Sequence, residues 1–89
     1  MTRESDIEDY LKFRVKEAGG ECRKVSWQGR RGAPDRWLFI PGHRPFWCEL
    51  KAPGEKLEEH QEREHKRMRK YGERVLVIDS FEGVDALFR

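Results

Sequence analysis

The segment from Phe46 to Ser80 constrains the chain more than any other. It runs from FWCELK through the breaker APGEK and the charged stretch LEEHQEREHKRMRKYG to the apolar run RVLVIDS. Leu57, position 61, position 64 or 65, Met68 and Tyr71 recur at helical spacing, and Gly72 stops the pattern. The segment is therefore strand, helix, strand. A helix between two strands makes a crossover, so the strands are expected to be parallel and joined with right-handed connection. The continuous apolar character of RVLVIDS predicts a strand inside the sheet. Ser80 then stands where it can cap a short last helix over about Phe81 to Phe88.

The rest of the chain supplies the partners. Ile7, Tyr10, Leu11, Val15 and Ala18 share one helical face, so a first helix is expected from Ser5 to Ala18, with Ser5 and Glu8 as a capping box and Gly19-Gly20 as its stop. ECRKVSW predicts a strand over Glu21 to about Trp27, and QGRRGAP a loop. DRWLFI and FWCELK flank the turn PGHRP and predict an antiparallel hairpin. The order is α-β-β-β-α-β-α, an α/β fold with a mixed sheet flanked by helices, and residues 1–89 form one domain.

Composition limits what this domain can be. With 36% hydrophobic and 40% charged residues in 89, the core is thin. A second copy would bury more, so a homodimer is expected. The net charge of +2 excludes a bulk polycation, and any nucleic-acid surface must come from local clusters. Arg30 and Arg31 form one, and Lys66, Arg67, Arg69 and Lys70 another. Cys22 and Cys48 form no metal-type pair and read as free thiols of a reducing compartment. The polar stretch Thr2 to Asp6 and the lack of a membrane-length apolar run predict a cytoplasmic, intracellular protein with no membrane partner.

The chemistry concentrates between Gly29 and Lys51. Strand alternation puts Phe46, Cys48 and Leu50 on one face of FWCELK and Trp47, Glu49 and Lys51 on the other. Asp35 opens the neighbouring strand, so it and Glu49 can converge. Two carboxylates at one point repel unless one is protonated or a cation sits between them. Oxygen donors suit a hard ion, Mg²⁺ or Mn²⁺, which can lower the pKa of a water and neutralise charge on a phosphate. An exposed Glu49–Lys51 or Asp35–Arg36 ion pair is the alternative reading. In the preceding loop, Gly29 and Gly32 flank Arg30 and Arg31, which can meet phosphate oxygens bidentately; Lys56 is a further basic candidate. Nothing looks like a base-reading helix, so DNA shape rather than sequence is the expected object of recognition. His43, His60 and His65 lack ligand spacing. Trp37, Phe39, Val75, Val77, Phe81 and Leu87 are expected in the core, and Trp47 either beside the site or at a dimer interface.

APD at Ala33–Asp35 and ELK at Glu49–Lys51, on this frame, resemble the PD-(D/E)xK nuclease superfamily. GRRGAPDRWLF, ELKAPGEKLEEHQ and YGERVLVIDS resemble successive blocks of its VRR-NUC family, whose small stand-alone members come largely from phages and bacteria. The resemblance implies a restriction-endonuclease-like core in which Asp35 and Glu49 bind metal, with the Leu50 carbonyl a possible third ligand and Lys51 the catalytic lysine. It also implies an acidic residue on the first helix, Glu4 or Glu8, and a site-lining Gln61. The expected activity is a Mg²⁺- or Mn²⁺-dependent DNA endonuclease acting on branched double-stranded DNA, resolving Holliday junctions as a homodimer in DNA repair. A flap or nicked-duplex nuclease working with partners is one alternative, and a non-catalytic DNA-binding module is another.

Overall fold

The computed structural model describes residues 1–89. Its elements are α1 (Glu4–Glu17), β1 (Glu21–Lys24), β2 (Arg36–Phe39), β3 (Phe46–Leu50), α2 (Glu59–Lys70), β4 (Val75–Ile78) and α3 (Phe81–Asp85), closed by a 3₁₀ turn at Ala86–Phe88. The four strands lie in the order β1-β2-β3-β4. β2 pairs antiparallel with β1 and β3, and β4 pairs parallel with β3. The mixed sheet and the parallel crossover are those expected from the sequence.

Alternation sorts the side chains onto two faces. Leu38, Ile40, Phe46, Cys48, Leu50 and Ile78 join Ile7, Leu11 and Val15 of α1 and Val84 and Leu87 near the C-terminus in a cluster of 11 buried residues. On the other face α2 covers a cluster of only three, Trp47, Met68 and Val75. A fully buried aliphatic or aromatic side chain contributes about 1.5–3 kcal/mol, so stability resides mainly in the α1 face. The α2 face is therefore free to carry polar chemistry. Tyr10 locks α1 to α3 by donating its hydroxyl to Asp85 Oδ1 at 2.6 Å.

Several expectations change in detail. α1 starts one residue earlier, capped by Arg3, whose N–H donates to Asp6 Oδ2 at 2.7 Å; Ser5 lies inside the first turn and forms no capping box with Glu8. β1 stops at Lys24, although Val25 N–H still donates to the Asp35 carbonyl at 2.9 Å. β4 is an edge strand, not an interior one. It is apolar because α2 covers Val75 on one side and the main core takes Ile78 on the other, while Val77 stays 40% exposed. Phe81 and Tyr71 are also exposed: Phe81 sets its ring edge against Tyr10, and Tyr71 lies past the last turn of α2. Trp37 and Phe39 are half-buried, because they stand on the face that α2 covers only in part. Ser80 caps α3 as expected, accepting from Gly83 N–H at 2.9 Å. Both thiols are free, and burial pushes each of them up. No helix is long and apolar enough to cross a membrane.

Candidate active site

β3 and β4 leave the sheet side by side, and Lys51 N–H donates to the Ile78 carbonyl at 3.0 Å just past their ends. Ligands of open α/β sheets bind at this carboxyl end of parallel strands. Glu49 and Lys51 project there from the α2 face. The β2–β3 ladder sets Trp37 opposite Trp47 and Arg36 opposite Cys48. Asp35 immediately precedes Arg36, so one further step of this register would bring it level with Glu49. The Asp35 backbone is pinned by Val25 on one side and by buried Pro34 on the other, whose carbonyl accepts from Trp27 Nε1 at 2.8 Å. Lys51 is buried, with Nζ 3.6 Å from Glu55 Oε1. Val77, level with Glu49 on β4, is exposed, so the cluster opens to solvent on that side.

The first-helix carboxylates separate clearly. Glu8 is ion-paired with buried Arg36 and lies 3.5 Å from Lys12. Partial burial alone would raise its carboxyl, but Arg36 and then Lys12 outweigh that and hold it below the usual value. Glu4 has the opposite shift. Lost hydration raises its carboxyl first, then Glu55, with further contributions from Glu49 and Asp35 against a lowering by Lys51. Glu4 thus shares the field of Asp35, Glu49 and Lys51, whereas Glu8 is committed to the core side of the sheet.

Helix α2 closes the other side. Gln61 is half-buried, and its Oε1 accepts from Glu58 N–H at 2.9 Å, closing the helix's capping box; its oxygen is therefore engaged in the helix start. One turn on, His65 is fully buried, with Nε2 3.3 Å from Glu49 Oε1. That approach counts as an ion-pair distance but lies off hydrogen-bond geometry, so Glu49 Oε1 and both ring nitrogens lack a hydrogen-bond partner. Reading the histidines by ligand spacing missed His65. The signal was its position on the inward stripe of α2, where an apolar residue was due.

The loop before Asp35 packs on α2. Gly32 has φ +88°, and a Cβ there would lie 2.5 Å from the His60 carbonyl oxygen, so helix backbone, rather than an approaching phosphate, requires this glycine. Arg30 reaches the buried Glu64 at 3.5 Å, and Arg67 reaches the same carboxylate at 2.9 Å. Together with Gly29, Arg31, His60 and Arg63 these residues line a cleft of about 270 Å³ that contains no hydrophobic side chain. Sequence spacing located Arg30 and Arg31 but not their union with α2. Lys56 is exposed in the segment leading into α2. Trp47, beneath the site, is packed between Trp27 and Trp37 at centroid distances of 5.0 and 4.3 Å.

The donor set fits a hard divalent cation. Asp35 and Glu49 offer carboxylate oxygens, and Glu49 Oε1, the oxygen nearest His65, is buried without a hydrogen-bond donor. No three His, Cys, Asp or Glu side chains come together as a metal-binding group.

A mixed sheet that brings an Asp, a Glu and a buried Lys to the open end of its parallel strands, with helices on both faces, defines the α/β nuclease class. A solved structure described as "VRR_NUC domain" superposes with a TM-score of 0.85 at 40% identity, covering 99% of this chain and 96% of that one. A protein of Acyrthosiphon pisum secondary endosymbiont phage 1 described as "Putative nuclease p44" is 42% identical over 80 residues, 90% of this chain and 86% of the relative. No family model matches the chain. At this identity and coverage the chain belongs to the VRR-NUC family of nucleases.

Proposed function

We propose that the protein is a metal-dependent, structure-specific DNA endonuclease that resolves four-way junctions. The pairing of Asp35 with Glu49 beside buried Lys51 carries this reading. A Mg²⁺ or Mn²⁺ ion held by Asp35, Glu49 and the Leu50 carbonyl, with Glu4 at the margin, would supply a more acidic water and neutralise charge on the scissile phosphate. Lys51 orients the attacking water and offsets the charge that builds on the phosphoryl oxygens. Water adds to phosphorus, the bond to the 3′ oxygen breaks, and that oxygen takes a proton, leaving a 5′-phosphate and a 3′-hydroxyl. Gln61 lines the α2 side through the part of its amide that does not cap the helix.

The cleft between the arginine loop and α2 would hold the neighbouring backbone. Arg30, Arg31, Arg63 and Arg67 supply planar donors suited to phosphate, and Lys56 extends the basic surface. Such contacts carry no sequence information, which fits recognition of DNA shape. The domain measures 33 × 32 × 22 Å, about one turn of duplex at 34–36 Å. One copy therefore covers one arm, and two symmetric cuts need two copies related by a two-fold axis.

The test is cleavage of linear, flapped and four-way DNA with Mg²⁺, Mn²⁺ or chelator. Paired cuts in the four-way substrate are expected with either metal and none with chelator. Asp35→Asn, Glu49→Gln and Lys51→Ala should each lower the rate at least 10³-fold while the circular dichroism spectrum is unchanged. Wild-type turnover by Lys51→Ala would remove the assigned site. Preferential cutting of flaps would favour the flap nuclease, and DNA binding without cleavage under any metal would favour a binding module. Sedimentation should give a dimer on the junction.

A further inference from the structure

We propose that His65 is a positioning residue that holds Glu49 in the orientation cation binding requires; this rests on the metal-site reading above. His65 is fully buried, yet neither of its ring nitrogens has a hydrogen-bond partner. A buried unsatisfied nitrogen is costly, and position 65 lies on the same inward stripe as Met68, where leucine would carry no such cost. Glu49 Oε1 lies 3.3 Å from Nε2, and that oxygen is itself buried and unpaired. Each orphan is thus the natural partner of the other.

The consequence is an ordered carboxylate. A ring N–H at Nε2 that donates to Glu49 Oε1 leaves the second oxygen of Glu49 available to an ion. The ring cannot swing away, because it is fully enclosed on a helix whose neighbouring turn packs through Met68 onto Trp47 and Val75. Metal-binding carboxylates need such support, and losing an outer partner generally costs 10–100-fold in metal affinity or activity.

The test compares wild type, His65→Leu and His65→Gln in Mn²⁺ titrations followed by electron paramagnetic resonance, with no DNA present. His65→Leu should bind Mn²⁺ about 10–100-fold more weakly while unfolding at a temperature no lower than wild type. His65→Gln, which can again present an N–H, should recover part of the affinity. Should His65→Leu fail to fold, nitrogen-15 spectra of the wild type decide: the Nε2–H signal should be present and should move in Glu49→Gln. Wild-type affinity in His65→Leu, or a ring protonated only at Nδ1, overturns the proposal. A wild type that binds no Mn²⁺ overturns the metal-site reading together with it, and only that outcome touches both.

Discussion

Glu4 and Glu8 stand one helical turn apart, and spacing alone leaves either able to complete the site. The partner decides: Arg36 is buried and points to the α1 face, so it draws Glu8 away from the carboxylate cluster. The two shifts have opposite consequences for stability. Glu8's carboxyl is lowered on folding, so its contribution is present above its ordinary value of 4.5 and is lost as pH falls through the folded value. Glu4's carboxyl is raised, so its charge opposes folding once pH exceeds 4.5. Glu8→Gln should therefore cost about 2 kcal/mol at neutral pH, through loss of a charged hydrogen bond to buried Arg36. That deficit should shrink as pH falls below 4.5. Glu4→Gln should leave neutral-pH stability unchanged or slightly raised, yet weaken Mn²⁺ binding. Urea midpoints at pH 7 and at low pH, set beside Mn²⁺ titrations, check both; equal destabilisation by the two variants would contradict the assignment.

At the scale of elements, Gly29 and Gly32 bracket the same two arginines but do different things. Both have positive φ, +69° and +88°, yet open space surrounds Gly29 while α2 backbone crowds Gly32. Gly29→Ala should cost only the left-handed backbone term, about 1–2 kcal/mol. Gly32→Ala adds a collision with the first turn of α2 and should cost about 3 kcal/mol or more, a fall of roughly 12 °C or more in Tm for a domain of this size. Thermal unfolding measures both, and equal shifts would mean the loop does not bear on the helix. The pattern of elements was legible because period and breakers are local properties. What local pattern could not supply was depth. Whether position 64 or 65 faced inward was undecidable from the stripe, and the structure buries both: Glu64 under two arginines, His65 against Glu49. The edge position of β4 was likewise invisible, since an edge strand covered on both faces has the composition of an interior one.

For the whole molecule, a net charge of +2 says little about DNA, because what matters is where the charges stand. Arg30, Arg31, Arg63 and Arg67 gather at one cleft against a single buried carboxylate, on the α2 side of the sheet that also carries Asp35 and Glu49. Glu64 keeps Arg30 and Arg67 in place rather than cancelling the cleft, and Arg31 has no ion pair of its own. Each phosphate neutralised by such a group steepens the dependence of log affinity on log salt by about 0.9 on duplex DNA. Replacing Arg30 and Arg31 together with alanine should therefore reduce the slope by about one to two and weaken binding to every DNA sequence alike. The same double variant should leave Mn²⁺ affinity near wild type, since neither arginine is ion-paired with Asp35 or Glu49. Fluorescence anisotropy with a four-way junction over a range of salt concentrations, using Lys51→Ala to prevent cutting, measures the slope directly. An unchanged slope would move the DNA-binding surface off this cleft and onto the outer face of α2, where Lys66 and Lys70 are exposed.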